Sequence, residues 1–177
     1  MKEACRSLLT RNTKPGIWIC SIGKAFELYP EVKVVVVAHL YGTPGKIDEI
    51  RAICEKHGAV IIEDAAESLG ATYKGVQTGT FGTYNCISFN GNKIITGSSG
   101  GMLLTNEEEA ANKVRKWSTQ SRENAPWYQH EELGYNYRMS NVIAGVVRGQ
   151  ISVSGRTYRT VKKQSMKDIR KDCKASR

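Results

Sequence analysis

The sequence has no long apolar run, no leader-like block and no paired cysteines, and each lack removes a class of protein. Its longest wholly aliphatic stretch, Val34–Ala38, is far too short to span a bilayer, so no membrane partner is expected. Met1–Thr10 carries charges and no long apolar segment, so no secretory signal is read and a cytoplasmic location is expected. The five cysteines, Cys5, Cys20, Cys54, Cys86 and Cys173, are scattered and include no Cys-x-x-Cys pair. That argues against a disulfide framework and against a zinc centre. Cys54 and Cys86 lie in apolar patterns and are expected as buried thiols.

Acidic residues are scarce only at the two ends. The net charge of +9 divides into +3 over residues 1–30, −1 over 31–150 and +7 over 151–177. A neutral body with basic ends does not read as a nucleic-acid-binding module, and no nucleic acid partner is expected. A length of 177 residues with ordinary apolar content suffices for one globular domain.

What is present is an alternation of short apolar strands and helices. Lys24–Tyr29 ends a helix closed by Pro30, while Arg11–Ser21 shows no clear period. Val32–Ala38 is β-branched and apolar on both faces, the pattern of a central parallel strand. Thr43 reads as an N-cap with Pro44 at the first helical position. The helix that follows carries Ile47, Ile50, Ile53 and Cys54 on its apolar face and stops at Gly58. Ala59–Ile62 is a second strand, which makes a βαβ unit and a parallel sheet. Ala65–Gly70 suggests a helical turn. Asn85–Phe89 and Gly101–Thr105 are further strands, and Asn106 reads as the cap of a helix with Glu107, Glu108 and Glu109 in its first turn. Trp127–Arg138 is aromatic and irregular, and Ser140–Ile151 is a small-residue helix. The fold class is α/β, a mostly parallel sheet with helices on both faces.

The stretch Cys86–Gly101 is the chemical focus. A short strand ends in Asn90-Gly91-Asn92, which presents Lys93 on a tight loop before a glycine-rich segment. A lysine desolvated there can attack a carbonyl, although Asn-Gly is also an ordinary hairpin signal. Asp64 follows the second strand, at the carboxyl end where ligands of parallel sheets bind. It could equally cap the turn at Ala65. Ser88 could donate to a phosphate or be a buried strand serine. A carboxylate with an imine-forming lysine is what pyridoxal phosphate chemistry needs.

Residues 31–151 closely resemble the sugar aminotransferases of the DegT/DnrJ/EryC1/StrS family, of pyridoxal phosphate fold type I. The resemblance lies in His39-Leu40-Tyr41-Gly42, Glu63–Gly70, Thr78-Gly79-Thr80-Phe81-Gly82, Ser88–Lys93 and Gly134–Met139. It implies that Lys93 is the Schiff-base lysine and proton shuttle and that Asp64 pairs with the pyridine nitrogen. It further implies that Ala66 packs on a ring face, that Ser88 binds the phosphate and that Asn136 reaches the phosphate of a neighbouring subunit's site in a homodimer. Glu67 stands where many members carry Gln or His, and is placed among the cofactor-binding residues. The implied reaction moves an amino group, typically from glutamate, to the keto group of a nucleotide-linked deoxysugar for polysaccharide or glycan synthesis.

The organisation implied is a poorly matched segment 1–30, a partial cofactor-binding large domain over 31–151 and a basic tail over 152–177. Family members are longer, so a truncated or frame-shifted chain is expected, inactive in isolation and poorly soluble. A regulatory or partner-binding relative is the other class of function, which the retention of Lys93 and Asp64 disfavours. Dehydratases on the same fold characteristically replace the lysine.

Overall fold

Val34–Ala38 (β1) and Val60–Asp64 (β2) pair in parallel, residue for residue from Val34 with Val60 to Ala38 with Asp64. The computed structural model describes residues 17–153. Between the two strands runs Ile47–Lys56 (α2), preceded by Ile17–Leu28 (α1). A small antiparallel hairpin follows, Thr72–Tyr73 (β3) with Val76–Gln77 (β4). Tyr84–Ser88 (β5) then joins β2 in parallel, and Gly101–Leu104 (β6) joins β5 antiparallel. The main sheet therefore runs β1-β2-β5-β6. Glu108–Ser118 (α3) and a helix over 141–153 (α4) complete the described chain. None of the described helices is long and apolar enough to cross a membrane.

Strand parity sorts the side chains. Val37, Ile61 and Ile87 share one face of the sheet, since partners in register point the same way. On that face Val37 and Ile61 pack with Phe26 of α1 and Ile47, Ile50 and Cys54 of α2. Ile87 joins Phe89, Ile95 and Val147 of α4 in a second cluster. The opposite face carries Val36 and Val60, 42% and 37% exposed, together with Asp64, Cys86 and Ser88.

Several sequence expectations change here. β1 is an edge strand among the described residues, not a central one. Cys54 is buried, but Cys86 is exposed because its register with Asp64 turns it to the open face. α1, Ile17–Leu28, overlaps the stretch without a clear period; its contacts with α2 and β1 through Ile22 and Phe26 supply the stability that periodicity lacks. α2 starts at Ile47, not at Thr43-Pro44. The Thr43 N–H donates to Leu40 O, and the Gly45 N–H donates to His39 Nδ1, which holds these residues against the end of β1. Asn106 does not cap α3. Glu107 is the N-cap residue, without a side-chain cap bond, and its N–H donates to Thr105 Oγ1. Ala65–Gly70 forms turns without a helix, closed by Ser68 N–H to Ala65 O and Ala71 N–H to Ser68 O. The tail 154–177 lies outside the described residues.

At Gly82 the backbones of β2 and β5 leave little room. A Cβ there would lie 2.8 Å from Ile61 O and 2.9 Å from Tyr84 O, backbone atoms that cannot step aside. Gly82→Ala is therefore expected to destabilise the chain by about 1–3 kcal/mol, the scale of overpacking a close contact. Chemical denaturation would measure it, and an unchanged midpoint would contradict the crowding.

Candidate active site

The carboxyl ends of β2 and β5 carry two of the sequence-selected groups, and the loop after β5 carries a third. Asp64 ends β2 and Ser88 ends β5, and register puts both on the open face of the sheet. Lys93 follows on the loop that leaves β5. That loop is closed by Lys93 N–H to Asn90 O at 3.0 Å and Gly97 N–H to Phe89 O at 2.9 Å. Its anchor is Ile95, 5% exposed, while Ile94 beside it stays open to solvent. Gln150 of α4 grips Thr96 from both sides: its Oε1 accepts the Thr96 N–H and its Nε2 donates to Thr96 O. The Lys93 side chain is only 15% exposed, unlike the solvated lysines of the surface.

Each side chain has a defined neighbour. Asp64 Oδ1 accepts the Ala66 N–H at 3.0 Å, so the turn-capping reading of Asp64 is realised through one oxygen of the carboxylate. Ser88 Oγ accepts the Asn90 N–H at 3.2 Å, which leaves the hydroxyl proton available to donate. Lys93 Nζ donates to Glu67 Oε1 at 3.4 Å, and the Tyr41 N–H donates to Glu67 Oε2 at 2.9 Å. The pKa of Glu67 lies below the ordinary carboxylate value, chiefly because of the Tyr41 amide and then Lys93, against an opposing effect of burial. Ala66 is half-buried between Asp64 and Glu67.

Asn136 is not part of this group. It sits exposed on the 119–138 loop, where its backbone bridges Thr119. The loop is tied to α3 by Tyr135 N–H to Trp117 O and by Glu132, which accepts from Lys113, Lys116 and Trp117 Nε1. Lys113, Trp117 and Lys116 hold the Glu132 pKa down at about 2. A Cβ on Gly134 would fall 2.1 Å from the Gln120 carbonyl carbon, so only glycine passes there.

Sequence reasoning missed the pair beneath the site. Glu63 and His39 are both buried, and His39 Nε2 lies 2.9 Å from Glu63 Oε1. The Gly45 N–H donates to His39 Nδ1, which leaves Nε2 as the nitrogen that donates to Glu63. Glu63 also accepts the N–H groups of Gly79, Phe81 and Gly82. Burial works against its charge, but His39 and the Gly79 and Phe81 amides outweigh it, and its pKa falls below the ordinary value. A signal was available: Glu63 has the parity of Ile61, and a carboxylate at a core position has to find donors.

The sequence model of the DegT/DnrJ/EryC1/StrS aminotransferase family matches residues 21–166, past both ends of 31–151. A Bacillus subtilis protein described as the pyridoxal phosphate-dependent aminotransferase EpsN is 54% identical over 121 residues, covering 68% of this chain and 31% of its own. A GDP-perosamine synthase of Caulobacter vibrioides is 39% identical over 122 residues, covering 69% and 33%. The solved structure of an aminotransferase from Psychrobacter cryohalolentis superposes with a TM-score of 0.71 at 31% identity, over 87% of this chain and 43% of that one. The chain thus spans about a third of the length of the curated relatives it matches.

Proposed function

The chain belongs to the DegT/DnrJ/EryC1/StrS aminotransferase family, and on that premise we propose that it supplies the lysine, carboxylate and hydroxyl of a pyridoxal phosphate site in a sugar aminotransferase. The substrates of this reading are a nucleotide-linked keto-deoxysugar and an amino donor, glutamate, in the cytoplasm, with the product serving polysaccharide or glycan synthesis. The observation that carries it is the placement of Asp64 and Ser88 on the open face of one sheet, with the mostly buried Lys93 on the loop that leaves the same strand as Ser88.

The donor set suits the cofactor group by group. An amine suits an aldehyde, a carboxylate suits a protonated ring nitrogen, and a hydroxyl with a spare proton suits a phosphate. When bound, the cofactor would supply an electron sink for the pair left on carbon as a proton departs. The rest falls to the chain. Asp64, held by the Ala66 amide, keeps a negative charge fixed at the end of β2. Ser88 offers its proton at the end of β5. Lys93 holds the cofactor and moves protons at Nζ, kept from bulk water by its low exposure. Ala66 lies between Asp64 and Glu67 as a small surface for a flat ring. Asn136, outside the group and exposed, serves the site of a partner subunit in a homodimer.

Incubation with pyridoxal phosphate, borohydride reduction and peptide mass mapping test the reading, with the pyridoxyl mass expected on the peptide that contains Lys93. Reproducible labelling at a different lysine would reject it. In the enzyme that carries these residues, Asp64→Asn is expected to cut glutamate-dependent formation of 2-oxoglutarate by orders of magnitude while labelling at Lys93 continues. Turnover near that of the wild type would assign the ring nitrogen to another group.

A further inference from the structure

We propose that Glu67 is a positioning residue for Lys93, braced by the backbone N–H of Tyr41, and that the turn at Tyr41 keeps its unfavourable conformation to provide that brace. The inference rests on the cofactor reading above. Tyr41 has φ 53° and ψ 31°, the left-handed region that a residue with a bulky side chain seldom occupies. Its ring is 84% exposed, so burial of the ring does not hold it there. Gly42 follows with φ 74°, so the chain takes two left-handed residues in succession. The turn is closed by the Thr43 N–H donating to Leu40 O, and it also presents the Tyr41 N–H to Glu67 Oε2. Strained residues persist where the surroundings over-determine them, and they cluster at functional sites.

The other oxygen of the same carboxylate holds Lys93 Nζ. Three loops therefore converge on one side chain, those that follow β1, β2 and β5. Lysine is a point charge on a flexible four-carbon stem, and its amine has to be aimed before it can meet an aldehyde. Ile95 and Gln150 fix the loop backbone, but among the described residues Glu67 is the side chain recorded as bonding the amine itself. A carboxylate held only by Lys93 would swing with it. A carboxylate pinned through Oε2 gives Nζ a fixed point. In this assignment the peptide group of Tyr41 acts, and its ring does not.

The test uses the full chain with pyridoxal phosphate as probe, in wild type, Glu67→Ala, Glu67→Gln and Tyr41→Gly. Three quantities are read: the share of borohydride-fixed pyridoxyl mass on the Lys93 peptide relative to the Lys74 and Lys113 peptides, hydrogen exchange of the Tyr41 amide, and the thermal midpoint. Glu67→Ala is expected to lower the Lys93 share several-fold and to speed Tyr41 exchange about tenfold, the scale of one lost hydrogen bond to a charged acceptor. Its midpoint is expected to stay close to that of wild type. Glu67→Gln is expected to fall between, because its amide oxygen can accept one of the two donors but carries no charge. Tyr41→Gly is expected to keep Lys93 labelling, since the N–H remains and glycine relieves the strain. An unchanged Lys93 share in Glu67→Ala, or a share that falls only in step with unfolding, would overturn the positioning role and leave the cofactor reading standing. Absence of pyridoxyl mass from Lys93 in the wild type would overturn both.

Discussion

Lys93→Arg is expected to abolish covalent capture of pyridoxal phosphate while leaving the fold intact. Arginine keeps the positive charge and can still donate to Glu67, so the Tyr41–Glu67 contact survives. What is lost is the nucleophile, because a guanidinium does not deprotonate at working pH. The loop itself does not depend on the amine. Ile95 anchors it in the second cluster, Gln150 holds Thr96, and the Phe89 N–H donates to Gly100 O. The stability change is therefore expected to stay within about 1 kcal/mol, the ordinary range for a substitution that opens no cavity and strands no buried polar group. Mass mapping after borohydride reduction reads the first effect and thermal unfolding the second. A pyridoxyl group still fixed at one defined lysine of the variant would show that Lys93 is not the anchor.

Glu63→Ala is expected to be the most damaging single change to the fold. It removes the acceptor for His39 and for the amides of Gly79, Phe81 and Gly82, and the Glu63 and His39 side chains have no solvent exposure. Each buried donor left without its acceptor costs about 1–3 kcal/mol, so stranding these donors together removes a large share of the roughly 5–15 kcal/mol that holds a typical domain together. The 79–82 loop should detach with it, since those amides tie it to β2. Denaturant unfolding measures the loss, and a change below about 1 kcal/mol would show that water or another group replaces the carboxylate. The same group makes the fold acid-sensitive. Its pKa is lowered on folding, so its contribution is fully present above the unfolded value of 4.5 and drains away as the pH falls through the lower folded value.

Much of the site was legible in the sequence because its elements are local. Asp64 follows a strand of branched residues, and Lys93 follows another across an Asn-Gly turn; both sit where strand ends were expected. The α2 face of Ile47, Ile50 and Cys54 was readable from its period, and all three are buried. At two of the boundaries that moved, a side chain accepts a backbone amide just ahead of the helix: His39 that of Gly45 before α2, and Thr105 that of Glu107 before α3. Such side chain to backbone bonds are not registered by apolar periodicity.

By itself the sequence determined the α/β class, the parallel β1–α2–β2 unit and the candidate chemical groups Lys93, Asp64 and Ser88, because alternation and turn residues act over a few neighbours; Glu67 entered through the family resemblance. Only the tertiary structure decided that Asp64 and Ser88 share one face and that Cys86 lies open on it. Register between β2 and β5 sets both at once, and register is a property of paired strands that neither strand specifies alone. The contact of Glu67 with both Tyr41 and Lys93 is of the same kind. Its bonds span 26 residues in each direction, a distance that turns and strands close only when the sheet is assembled.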